Sequence, residues 1–265
     1  MSEQPLLSEI HDGVALLTMN RPQARNALNR DLRIALWHAC AEADANNDVA
    51  AIVLTGADPA FCAGLDLKAL AEGGLGAVAP SAADLEGADP SRSSPVPELT
   101  KPLIGAVNGV AVTGGLELAL CCDFLIGSDA ARFADTHARV GVMPGWGLTV
   151  KLPQAIGIRR ARQMSFTGNF VEADQALEWG LLNEVVPHDQ LIDRALQLGR
   201  DAATIPSDNL AGIRAAYIQA GAAHDDPALE AERNFSTAWT GFDSAEFAER
   251  RAGIQERGRS QVNPA

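Results

Sequence analysis

Residues 101–124 read KPLIGAVNGVAVTGGLELALCCDF, and this stretch decides the fold class. Leu103 to Val107 is an apolar run of strand length, closed by Asn108-Gly109. Gly114-Gly115 then leads into a helical segment, LELALCC, and Asp123 to Gly127 holds another short apolar strand. Short strands alternating with helices define an α/β chain with crossover connections. The same stretch carries chemistry. A Gly-Gly pair ahead of a helix leaves backbone N–H groups uncovered, and the helix start adds partial positive charge. Gly114 N–H is thus a candidate donor to an oxygen that gains negative charge. Glu117 follows three residues on, one turn along the same face. Its carboxylate either reaches the region beside that oxygen or simply favours the helix dipole.

Upstream, Leu6 to Ile10 and Val14 to Met19 flank the turn dipeptide Asp12-Gly13 and read as a hairpin. A helix follows, with Leu32, Ala35, Leu36, Ala39, Cys40 and Ala43 at helical spacing. Val49 to Leu54 reads as a short buried strand, and after it Gly64 permits a tight turn that offers Leu65 N–H as a second donor. Residues 71–98 lose all periodicity and fill with Gly, Ala, Ser and Pro, which predicts a mobile surface insertion. From Asp189 onward the pattern is helical: Ile192, Ala195, Leu196 and Gly199 share a face, and 208–220, 227–240 and 244–256 are helical in composition. Two regions are therefore expected, a core over 1–200 and a helical region over 201–265.

The 265 residues carry a net charge of −13. That balance argues against a nucleic-acid partner, which needs a basic face for phosphate, and against an anionic membrane surface. With 47% apolar residues, the chain is long enough to bury a sizeable core. The four cysteines form no CxxC pair and read as small buried hydrophobes in a reducing compartment. The start, MSEQPLLSEI, lacks the pattern of a signal peptide, so a cytoplasmic protein is expected. The five histidines show no paired ligand spacing, which predicts no metal site, and there is no phosphate-binding P-loop motif.

Four further blocks accompany 101–124 in order: RPQARNALN (21–29), TGADPAFCAGLDLK (55–68), FADTHARVGVMPGWG (133–147) and TGNFVEADQALEWGLLNEVVP (167–187). Together they make the chain resemble the crotonase, or enoyl-CoA hydratase/isomerase, superfamily from about Leu6 to Arg257. The resemblance implies a spiral of ββα units followed by C-terminal helices that assemble a homotrimer or a dimer of trimers. It implies an acyl-CoA thioester as substrate, with coenzyme A part of that substrate and no prosthetic group. The oxyanion-hole N–H groups fall on Leu65 and Gly114. The adenine falls near the backbone of Ala63 and Asp66, with Arg25 and Lys68 as candidates for the CoA phosphates, a small basic mouth on an acidic protein. Asp135, Arg139 and Trp146 are candidates for the acyl pocket.

A hydratase of this superfamily uses two glutamates. The first maps onto Glu117, whereas the second maps onto position 137, which is His137 here. Imidazole titrates near neutrality, so neutral His137 could accept a water proton and charged His137 could donate one to carbon. Asp135 stands two residues away, placed to orient it. The leading reading is a 2-enoyl-CoA hydratase with Glu117 and His137 as the acid–base pair. Competing readings are a 3-enoyl-CoA to 2-enoyl-CoA isomerase using Glu117 alone, a thioester hydrolase, and an acyl-CoA-binding protein without turnover.

Overall fold

The computed structural model describes residues 4–85 and 94–262. The chain opens with the hairpin of β1 (Leu6–His11) and β2 (Val14–Met19), paired from Leu6 opposite Met19 to His11 opposite Val14. Asp12 and Gly13 both adopt positive φ, as the tight turn requires. Helix α1 (Arg30–Ala45) follows, started by Asn29, whose side chain accepts the Leu32 N–H at 3.0 Å.

Three units of strand, strand and helix come next. They are β3 (Ala51–Gly56), β4 (Ala60–Cys62) and α2 (Leu67–Gly73); β5 (Leu103–Val107), β6 (Val110–Val112) and α3 (Gly114–Ala119); and β7 (Phe124–Ser128), β8 (Arg132–Ala134) and α4 (His137–Val140). The chain then runs through α5 (Leu148–Ile156), α6 (Ile158–Thr167), β9 (Val171–Glu172), α7 (Ala173–Trp179), β10 (Glu184–Val186) and α8 (Leu191–Ala203). It ends in α9 (Ser207–Ala238) and α10 (Ser244–Val262).

Each unit puts its first strand in one sheet and its second in another. The larger sheet has the order β1-β2-β3-β5-β7-β10, parallel except for the hairpin. The smaller has the order β4-β6-β8-β9, with β4, β6 and β8 parallel. This is the expected spiral of ββα units. The three parallel strands of the small sheet end at Cys62, Val112 and Ala134, so the segments that follow them, around Leu65, Gly114 and His137, emerge side by side. Ligands of parallel sheets bind beyond such carboxyl ends.

The large sheet is covered on both faces, so β3 is buried at every residue. Leu17, Ile52 and Leu54 face α1 through Leu32, Leu36 and Cys40. Val14, Leu16 and Val53 face α8 through Leu191, Ala195 and Leu196. The period of two sorts the strand residues into these layers. All four cysteines are free, with Cys40 and Cys62 buried.

Two expectations are corrected. Residues 71–85 are not a free insertion. Leu70 and Val78 are buried with Val140, Val142 and Phe247, and Asp84 pairs with Arg30 at 2.6 Å. Pattern fails there because this small cluster draws one residue from each of several elements. Residues 86–93 of the expected insertion lie outside the described residues. The expected helices over 208–220 and 227–240 are one helix, α9, which continues through Pro227.

Candidate active site

Gly115 brings α3 against β4: a Cβ there would stand 2.1 Å from the Cys62 carbonyl oxygen. Gly64 has φ of +86° and lies against Val112 and Gly114. This contact places Leu65 beside the start of α3. The bridge between Leu28 and Leu65 engages Leu28 N–H with Gly64 O at 2.7 Å and Asp66 N–H with Leu28 O at 3.1 Å. Leu65 N–H therefore points the other way. Among the described residues neither Leu65 N–H nor Gly114 N–H donates a hydrogen bond. Thr113, just before Gly114, holds φ of +55°, an uncommon conformation for a β-branched residue. Its N–H donates to Ala134 O at 2.9 Å, and its hydroxyl meets that of Thr136 at 2.5 Å, which fixes the strained turn.

Glu117 is 3% exposed. Its Oε1 accepts the N–H groups of Gly145 and Trp146 at 3.1 and 2.7 Å. Its Oε2 lies 3.2 Å from His137 Nε2. His137 Nδ1 lies 2.6 Å from Asp135 Oδ1, which also accepts the His137 N–H at 3.1 Å. The result is a buried chain of carboxylate, imidazole and carboxylate. Burial by itself would lower the His137 pKa, but the hydrogen bonds and charges of Asp135 and Glu117 outweigh it and raise the value to about 9. Asp135 moves the opposite way: burial would raise it, yet its bond to His137 holds it below the usual carboxylate range.

A cavity of about 210 Å³ opens on this chain, lined by Leu65, Gly114, Glu117, His137 and Trp146 together with Arg33, Val78, Ala79, Val142, Met143, Gly145, Ser236, Trp239 and Phe242. Of the expected pocket residues, Trp146 lines it. Asp135 stands behind His137 instead. Arg139 turns away, donating to Thr167 O against Gly168. The expected CoA residues group on the neighbouring surface. Arg25 and Lys68 are exposed. Arg25 O accepts the Ala63 N–H at 3.0 Å. Asp66 caps α2, accepting from Lys68 and Ala69 N–H, and pairs with Arg21 at 3.0 Å. A more open hollow of about 320 Å³ lies elsewhere, near Asp58, Asn108 and His188, and none of the expected site residues line it.

Four contributors escaped the sequence reading. Glu232, 8% exposed on α9, accepts the Gly147 and Thr149 N–H groups at 2.6 Å each. Ser236, one turn further along the helix, and Trp239, just past its end, donate to Met143 O and Gly141 O. One face of α9, with Trp239 beyond it, thus holds the 141–149 loop that in turn holds Glu117. The fourth is Arg33. Its only sequence signal is a cation on the helix that precedes β3.

Uncovered N–H groups beside a buried acid–base chain are what enzymes acting on carbonyl compounds require. The comparisons with known proteins agree. A family profile described as "Enoyl-CoA hydratase/isomerase" matches residues 9–258, and the chain belongs to that family. It is 41% identical over 196 residues to a probable enoyl-CoA hydratase of Rhizobium meliloti, covering 74% of each chain. It is 34% identical over 230 residues to the 1,2-epoxyphenylacetyl-CoA isomerase of Escherichia coli, covering 87% of this chain and 88% of that one. The crystal structure of an enoyl-CoA hydratase from Mycobacterium tuberculosis superposes with a TM-score of 0.78 at 45% identity, covering 89% of this chain and 98% of that one.

Proposed function

We propose that this protein adds water to a 2-enoyl-CoA thioester, with coenzyme A entering as part of the substrate. The observation that carries the reading is the Glu117–His137–Asp135 chain beside the two free N–H groups of Leu65 and Gly114. Those N–H groups receive the thioester oxygen and stabilise the enolate as negative charge builds. Glu117 accepts a proton from water, whose oxygen bonds to the β-carbon. His137, held as imidazolium by its two carboxylate neighbours, gives a proton to the α-carbon. The proton on Glu117 then crosses the 3.2 Å contact to His137 Nε2, which restores both groups. Asp135 orients the imidazole and keeps it charged. Arg25, Lys68 and the backbone of Ala63 and Asp66 hold the CoA portion.

The spiral core over 1–200 carries the site, and the region over 201–265 supports it and assembles the oligomer. In support, α9 has 32 residues with Glu232 alone buried, and Ile213, Tyr217, Ile218 and Phe235 stand exposed along it. Apolar exposure of this extent on one helix fits burial against other copies of the chain. No helix among the described residues is long and apolar enough to cross a membrane.

The test is turnover of a short 2-enoyl-CoA, read as loss of the conjugated thioester absorbance, beside the matching 3-enoyl-CoA. Hydration of the first supports the reading. Conversion of the 3-ene alone assigns an isomerase, thiol release alone assigns a hydrolase, and tight binding without product assigns a carrier. Light scattering reads the assembly state.

A further inference from the structure

Arg33 is out of place in an acyl cavity. Apart from the site groups Glu117 and His137, it is the one charged residue among the described residues of a lining otherwise built from Leu65, Val78, Val142, Met143, Trp239 and their neighbours. Its guanidinium carbon lies 4.8 Å over the Trp146 ring, and Nη1 donates to Val78 O at 2.8 Å. A guanidinium has five N–H donors in a fixed fork, so among the described residues most of its donors stay open. Among the described residues no carboxylate pairs with it, and burial alone pulls its pKa down to about 10. A cation removed from water without an anion is costly, and an anion that enters beside it offsets that cost.

The placement says where such an anion would come from. Trp146 bonds Glu117 Oε1 through its backbone N–H and carries Arg33 on its ring. Arg33 is thereby fixed one side chain away from the reacting centre, on the wall of the same cavity. At roughly 30 Å³ per water-sized group, 210 Å³ holds on the order of seven non-hydrogen atoms. For an acyl group ending in a carboxylate, whose three oxygens count among those atoms, that is a chain of about four carbons.

We propose that Arg33 reads the distal end of the acyl group, and that the preferred substrate is a short 2-enoyl-CoA whose chain ends in a carboxylate. The inference rests on the reading of this cavity as the acyl pocket of a hydratase. The carboxylate takes the open N–H pair in bidentate fashion, the geometry that arginine offers and lysine does not.

The experiment compares two 2-enoyl-CoA substrates of equal chain length, one ending in a methyl group and one in a carboxylate. The purified full-length parent, Arg33→Met and Arg33→Lys are each assayed with both. The parent is expected to favour the carboxylate-ended substrate by at least about tenfold in kcat/KM, the scale of a charged hydrogen bond. Arg33→Met brings the ratio near one, and Arg33→Lys keeps part of it. A parent ratio near one overturns the inference without any variant. So does a ratio that Arg33→Met leaves unchanged: rates falling together would assign Arg33 to a CoA phosphate or to the Val78 contact. If the parent turns over neither substrate, the hydratase reading fails separately. Calorimetric titration with the two saturated thioesters then decides Arg33, with equal affinities overturning the inference and tighter, Arg33-dependent binding of the carboxylate-ended thioester upholding it.

Discussion

His137 Nε2 and Glu117 Oε2 meet directly, 3.2 Å apart, at the carboxyl end of the small sheet. The two side chains share one buried contact, and water and substrate must approach them from the cavity side. Asp135 closes the far end of the chain at 2.6 Å, so the imidazole is flanked by two carboxylates and is an acid near neutrality. On the proposed mechanism, position 137 would supply its proton to carbon as a cation.

Glu117→Gln keeps the shape of the side chain but removes the carboxylate that, on the proposed mechanism, accepts the water proton. Hydration of 2-enoyl-CoA is expected to fall about 10²- to 10⁴-fold, the usual contribution of a positioned base. Affinity for a saturated acyl-CoA, measured by calorimetry, should change little, because the two N–H donors and the CoA surface are untouched. Full retention of turnover would remove Glu117 from the mechanism.

The His137 contact sets a pH dependence. The folded pKa is raised from 6.5 to about 9, so its stabilising effect is complete below about pH 6.5 and is lost as pH rises through about 9. Tm of the parent should fall between pH 7 and 10 more than that of His137→Gln. Hydration should decline over the same alkaline limb as the imidazolium loses its proton. Asp135→Asn removes the first of the partners that raise the value, so the limb should move to lower pH. A profile unmoved by Asp135→Asn would show that Asp135 only packs.

Glu232 reaches the site from 85 residues beyond Gly147, through the loop that holds Glu117. Glu232→Ala leaves the buried Gly147 N–H without a partner, which costs about 1–3 kcal/mol. Lower Tm is expected together with a lower kcat, while KM rises less, since the loop orients Glu117 and does not carry the CoA surface. Glu232→Gln, which keeps one acceptor oxygen, should recover part of both. Loss of Tm with kcat intact would separate the helix from catalysis.

What the sequence disclosed follows chain distance. Gly114 and Glu117 were legible because one helical turn joins them, and His137 because it falls within the block FADTHARVGVMPGWG. Arg139 misled because it follows His137 by two residues on the same helix, which is roughly 200° of rotation, and it faces Thr167 instead. Arg33 and Glu232 sit on distant helices, and only the closing of those helices over the 141–149 loop brings them to the site. The hairpin, α1 and the first strands β3, β5 and β7 were readable from pattern, whereas the three-residue second strands β4, β6 and β8 were not. The packing of residues 71–85 was not, because its apolar partners Val140, Val142 and Phe247 come from other elements.

Gly115→Ala tests the approach of α3 to β4. The added methyl would meet the Cys62 carbonyl at 2.1 Å, and both elements are backbone-fixed there. Strain of about 1–3 kcal/mol is expected, with Gly114 N–H displaced and activity lost. Gly76→Ala is the control, since a Cβ at Gly76 meets nothing within 4 Å. Equal melting temperatures for the two variants would contradict the close packing.

Phe247 tests whether α10 belongs to the folded body around the site. It is fully buried, and its cluster joins α10 to Leu70 of α2, to Val78, and to Val140 of the helix that begins at His137. Phe247→Ala should cost about 3–5 kcal/mol, the usual range for an aromatic core truncation. Because Val78 and Val142 also line the proposed acyl cavity, KM for the acyl-CoA should rise along with the loss of stability. Urea denaturation of the full chain reads the first effect and steady-state kinetics the second. A loss of less than about 1 kcal/mol, well below that range, with unchanged KM would mean that α10 is an appendage, and that the cavity wall stands without it.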